Sequence, residues 1–147
     1  MRTGIHGIML WLTMTLVALA PAAYGAEPVV PAPSAKAVQL TVRAQLDAFA
    51  NDDAKRAFSY AAATIQQMFG TPDNFMDMVR SSYPVVYRPA AVTFLTPKPQ
   101  GKVVVQPVHM TDSQGASWIA MYRLEQQKDK SWRIAGCVLV PNGGQTV

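Results

Sequence analysis

The sequence predicts an α+β fold, with N-terminal helices packed on a curved antiparallel sheet of four or more strands. Three observations carry this. Apolar residues recur every three or four positions from Val38 to Val79. From Val85 onwards the chain turns to short runs rich in Val, Ile, Tyr, Phe and Trp. Turn-forming clusters separate those runs at Pro97–Gly101 and Asp112–Gly115. Helices followed by a block of strands, rather than alternating with them, indicate an antiparallel sheet.

The N-terminus reads as a secretory signal peptide over residues 1–26. Arg2 supplies the basic start, Ile8 to Ala20 the apolar run, and Ala22–Ala26 the small-residue end. The apolar run falls short of the roughly 20 residues that a membrane-spanning helix needs, and Pro21 interrupts it. Two cuts compete. Cleavage after Gly25 leaves Ala23 at the third position back, and cleavage after Ala26 leaves the bulkier Tyr24 there. The protein is therefore expected to be exported, periplasmic or secreted, with no membrane attachment once the signal is removed. Residues 27–35 then read as a linker, because Pro28, Pro31 and Pro33 favour an extended tether. One domain is expected over 36–140, and an irregular tail over 141–147.

Within that domain the helices follow in order. Val38, Val42, Leu46 and Phe49 lie on one face of a helix from Ala35 to Ala50. Asn51-Asp52-Asp53 ends it and offers N-caps for a second helix from Ala54 to Ala63. A short helical turn from Thr64 to Phe69 closes at Gly70, a C-cap residue. Thr71-Pro72-Asp73 then opens a helix whose inner face is Phe75, Met78, Val79 and Ser82, stopped by Pro84.

The strands are expected at Val85–Thr96, Lys102–Thr111, Ser117–Gln127 and Ser131–Val140. Pro89 marks a bend or an edge, and Pro107 an edge or bulge. A three-residue loop, Lys128-Asp129-Lys130, sets the register of the last two strands. It places Glu125 opposite Arg133, Leu124 opposite Ile134 and Tyr122 opposite Gly136. Trp118, Ala120, Tyr122, Leu124, Trp132, Ile134 and Val138 then share the face that holds the helices. Ile119, Met121, Cys137 and Leu139 form an apolar end on the other face. Two occupants fit that end: a second copy of the chain, giving a homodimer, or a loop or tether of the same chain.

Composition narrows the function. The formal net charge is +4, one unit of it on Arg2, and the charges are scattered with mixed sign. Nothing resembles a nucleic-acid footprint. The single cysteine, Cys137, has no partner for an intrachain disulfide and sits in a strand-like apolar run, where a thiol serves as a small hydrophobe. One histidine in the mature chain, His109, one cysteine and dispersed acids match no metal-ligand spacing, and no phosphate-binding glycine loop is present. No metal or cofactor is expected.

Two stretches carry a resemblance. The first runs from Leu46 to Ala61 and continues through Ile65, Phe69, Phe75, Met78-Val79 and Tyr83. The second is Trp118…Tyr122-Arg123-Leu124…Trp132-Arg133-Ile134…Gly136-Cys137. Together they resemble domain of unknown function 4864, a bacterial family of small, often exported proteins. Its layout is similar to the nuclear transport factor 2-like (SnoaL-like) superfamily, which implies a cone with an internal pocket. The resemblance implies no chemistry, because relatives of the cone fold include acid–base enzymes and pure binders.

Tyr60, Tyr83, Trp118, Tyr122 and Trp132 are the candidate pocket lining, amphipathic rings in an apolar setting. No catalytic residue is assigned. The reading is an exported, non-enzymatic domain binding a small apolar ligand or a protein partner. The alternative is a small isomerase- or dehydratase-type enzyme using His109 or Asp77 with a tyrosine. Asp77 is expected instead on a solvated helix face beside Arg80 or Ser81.

Overall fold

A computed structural model describes residues 25–143. The signal peptide expected over 1–26 therefore falls, but for Gly25 and Ala26, outside the described residues, as do residues 144–147. Five helices, α1 (Ala32–Ala50), α2 (Ala54–Ser59), α3 (Ala63–Phe69), α4 (Pro72–Ser82) and α5 (Pro84–Tyr87), precede five strands. The strands are β1 (Ala91–Phe94), β2 (Lys98–Gln100), β3 (Val103–Thr111), β4 (Ser117–Gln126) and β5 (Trp132–Pro141). They form one open antiparallel sheet in the order β1-β3-β4-β5, with β2 also paired to β3. The arrangement is α+β.

α1 begins at Ala32, inside the segment read as a linker. Pro31 caps it and Pro33 occupies its first turn, where a proline's missing N–H would have had no partner anyway. Its Val38, Val42, Leu46 and Phe49 are all buried, as their spacing predicts. The turn after α1 is pinned by Asp52, which sits at φ 54°. Its carboxylate accepts from the Tyr87 hydroxyl, from Arg80 at 3.0 Å and from Arg88 at 3.0 Å. Those bonds, the Tyr87 one foremost, hold Asp52 below the usual carboxylate range. One acid thus ties the α1–α2 turn to α4 and α5.

Local signals place the next helices. Asp53 caps α2 by accepting from the Arg56 amide at 3.0 Å, Gly70 closes α3 at φ 74°, and the Thr71 hydroxyl accepts from the Asn74 amide at 3.2 Å to open α4. On α4 it is Met76, not Ser82, that joins Phe75 and Val79 in the core. The second helix is shorter than expected. Tyr60–Ala62 leaves it to pair with β5, Ala62 N donating to Ile134 O and Ile134 N to Tyr60 O, both at 2.8 Å.

Two further expectations are corrected. Val85–Tyr87 is a helical turn rather than strand: Pro84 starts it, and Val85 and Val86 are buried against the core. Lys98–Gln100 is a strand rather than a turn, folded onto β3 through Gly101 at φ 61°. Pro107 lies in the middle of the central strand β3, not at an edge. On its β1 side, Leu95 N donates to Pro107 O at 3.0 Å. The reciprocal bond would need a proline N–H. The side-chain amide of Gln106 replaces it, donating to Leu95 O at 2.6 Å and to Pro107 O at 2.8 Å.

The β4–β5 hairpin shows both the reach and the limit of the register argument. The loop is Lys128–Lys130, with Lys130 at φ 71°, and Glu125 faces Arg133 while Leu124 faces Ile134. Beyond that the ladder slips. Arg123 faces Gly136 and Tyr122 faces Cys137, so Ala135 is an extra residue in a bulge. Side-chain direction alternates strictly along a strand, so one extra residue exchanges the faces beyond it. Cys137 and Leu139 turn inward onto the core, and Val138 and Val140 turn outward, 60% and 46% exposed. The expected positions of Cys137, Val138 and Leu139 are reversed.

Candidate functional site

A cavity of about 230 Å³ lies between the helices and the β5 side of the sheet. α3 contributes Ile65, Met68 and Phe69, and α4 contributes Phe75, Met78 and Val79. Gln45 and Phe49 of α1 and Val86 of α5 complete the helical wall. The sheet wall is Tyr122, Ile134, Gly136 and Cys137, with Ala61 from the segment paired to β5 and Tyr83 from the end of α4.

The wall is mostly aromatic and aliphatic. Phe75 meets the rings of Phe58, Phe69 and Phe49 at centroid distances of 5.5, 5.6 and 6.0 Å. Met68 is 71% exposed, which places the solvent side of the cavity at α3. Gln45, only 3% exposed, donates through Nε2 to Ala57 O at 3.1 Å, so its amide is anchored to α2. The Tyr83 hydroxyl donates to Cys137 O at 3.4 Å, a carbonyl on the edge strand. No carboxylate, amine, guanidinium or imidazole belongs to the lining.

Two lining groups are titratable and buried. Tyr122 is 1% exposed, and burial pushes its hydroxyl well above the usual tyrosine range. Cys137 is half-buried as a residue, yet burial pushes its thiol up to about 12. Both groups are therefore neutral at pH 7. A thiol so far from ionisation is a poor nucleophile, and the pair presents a neutral polar spot in an apolar wall.

The candidate residues separate on the structure. Tyr83 and Tyr122 line the cavity together. Tyr60 lies outside it, its hydroxyl accepting from Arg56 Nε at 3.4 Å. Trp118 also lies outside, donating to Asp112 Oδ2 at 3.2 Å across the β3–β4 turn. Trp132 sits opposite Gln126 at the far end of β5. His109 faces away from the helices, within 2.6 Å of Ser117 Oγ through Nε2. Asp77 is exposed and paired with Arg80 at 3.3 Å. The sequence reading missed Ile65, Phe69, Phe75 and Met78 as lining, although their helical spacing was visible. Cys137 was missed because only the bulge turns it inward.

Among the described residues no group of three or more His, Cys, Asp or Glu side chains is arranged to hold a metal ion. No helix among them is long and apolar enough to cross a membrane.

Fold and site together define a small α+β domain with an apolar cavity between its helices and its sheet. The family model of Domain of unknown function (DUF4864) matches residues 31–147, and the chain belongs to that family. No curated protein and no solved structure matches the chain.

Proposed function

We propose that this protein is an exported binding domain that takes a small apolar ligand into the cavity between α3, α4 and β5. The observation that carries the reading is the lining: apolar walls, a neutral polar spot and a solvent side beside Met68. Concave apolar sites with few polar groups are the usual form of a small-molecule site. The layout of helices over one face of an antiparallel sheet supports the cone expected of nuclear transport factor 2-like domains, which is part of the same proposal.

The test uses α-methylstyrene as an apolar probe, with binding followed by calorimetry and by chemical-shift changes of the cavity methyl groups. Binding with shifts confined to residues around Ile65, Met78 and Val79 is the expected result. Met78→Trp, which fills the cavity from a half-buried position on α4, is expected to weaken it at least tenfold with the melting temperature kept. Ile65→Trp provides an independent second plug. No binding by the native protein, or binding untouched by both plugs, overturns the reading.

Export and pairing through the outer sheet face belong to the same proposal. The outward turn of Val138 and Val140 beside Ile119 and Met121 supports an apolar contact surface. Mass spectrometry of the protein from its native source is expected to show a chain starting at Ala26 or Glu27. Light scattering of that form is expected to give twice its chain mass. A retained Met1 sinks export, and a monomer mass sinks pairing.

A further inference from the structure

Tyr122 is a lining residue whose buried polar atom lacks a strong partner. It is 1% exposed, and apart from the Cys137 thiol beside it the hydroxyl has no hydrogen-bond partner. The ladder puts Gln106 on one side of it and Cys137 on the other. Gln106 commits its amide N–H groups to Leu95 O and Pro107 O, its Oε1 is also buried and makes no hydrogen bond to the hydroxyl, and the Cys137 thiol beside the hydroxyl is a weak partner. Leaving a hydroxyl unpaired in an apolar interior carries a desolvation penalty, and such exceptions in native structures call for an explanation. A hydroxyl so weakly partnered in this wall points to a partner that arrives with the ligand.

We infer that the ligand is a neutral molecule with an apolar body and one oxygen acceptor, a carbonyl or hydroxyl, bound by the Tyr122 O–H. This rests on the cavity-binding reading above and deepens it. The neutrality follows from the lining, which offers no cation to an anion and no carboxylate to a cation. The hydroxyl keeps its proton at pH 7 and so has one to donate. Size follows from volume. A cavity of about 150 Å³ accepts benzene, so about 230 Å³ admits a molecule of roughly nine non-hydrogen atoms. Longer ligands would have to leave past Met68.

The experiment compares two probes of equal shape, acetophenone and α-methylstyrene, which differ by a carbonyl oxygen in place of a methylene carbon. Both are titrated into the native protein and into Tyr122→Phe. The variant is expected to weaken acetophenone about fivefold to tenfold, the range of one neutral hydrogen bond, and to leave α-methylstyrene unchanged. The infrared carbonyl stretch of bound acetophenone is expected at lower frequency in the native protein than in the variant. The ligand-free variant should melt no lower than the native protein, because the hydroxyl it loses has only the weak thiol of Cys137 as an internal partner. Equal effects on both probes, or a clear drop in melting temperature, overturn the oxygen-acceptor inference while cavity binding stands. Failure of both probes to bind the native protein overturns the cavity reading itself.

Discussion

Replacing Phe75 by alanine is expected to destabilise the domain by about 3–5 kcal/mol, the range for deleting a buried phenylalanine ring. The position justifies the upper part of that range. Phe75 is 6% exposed and its ring centroid lies within 6.0 Å of three others, on α1, α2 and α3. It joins α4 to three other helices. Its removal also opens space onto the existing cavity, so the neighbours have no packed wall to collapse against. Domains of this size are stable by only about 5–15 kcal/mol, so the variant sits near the threshold of folding. Urea unfolding followed by circular dichroism should show a lower midpoint at an unchanged slope, which assigns the loss to stability rather than to a changed unfolded state. Phe75→Leu keeps most of the volume and should cost under half as much. A loss below about 1 kcal/mol for Phe75→Ala would show that this aromatic cluster does not hold the helices together.

The second large effect concerns Gln106, which is fully buried on the inner face of β3. Its Nε2 supplies the hydrogen bond that Pro107 has no N–H to make, and it closes the ladder onto Leu95. Gln106→Glu preserves shape but replaces a donor with an acceptor facing two carbonyl oxygens. At pH 7 a charged glutamate there would be buried without a counter-ion, a cost of several kcal/mol. Burial raises the carboxyl's pKa, so the folded state binds its proton more tightly than the unfolded chain does. The penalty is therefore smallest below the unfolded value of about 4.3. It grows as pH rises above that point, until the folded group itself ionises. The variant should thus be more stable near pH 4 than near pH 7 relative to the native protein, measured by urea midpoints at each pH. A pH-independent difference would show that position 106 is reached by water. Pro107→Ala offers a coupled check. It restores a backbone N–H facing Leu95 O, so removing the Gln106 amide should cost less in that background.

The two effects divide along the same line as the legibility of the fold. Phe75 was visible in the sequence. Thr71-Pro72-Asp73 announces the helix, the spacing of Phe75 and Val79 announces its buried face, and the structure keeps both. The importance of Gln106 was not visible, because a polar residue between two apolar strand positions gives no local sign that it replaces a backbone donor. Pro84–Tyr87 illustrates the reverse error. Two valines before a tyrosine have the composition of a strand, yet packing under α1 holds them in a helical turn.

The sequence by itself determined the helix boundaries that depend on caps, the loops at Asp112–Gly115 and Lys128–Lys130, the α+β class and the membership of the family. All of these are set within a few residues, by backbone hydrogen-bond partners, positive-φ positions and the period of apolar side chains. Only the tertiary structure decided the site. Tyr83 and Tyr122 come together because Tyr83, at the end of α4, bonds to the carbonyl of Cys137, the residue that faces Tyr122 across the β4–β5 ladder, while Tyr60, Trp118 and Trp132 are carried elsewhere. Cys137 enters the lining because the ladder gains one residue at Ala135, close to where Tyr60–Ala62 pairs with Ile134. That neighbouring pairing joins segments more than seventy residues apart in the chain. Strand alternation has a period of two, so a single inserted residue reverses every face beyond it, and no local pattern records where that insertion falls.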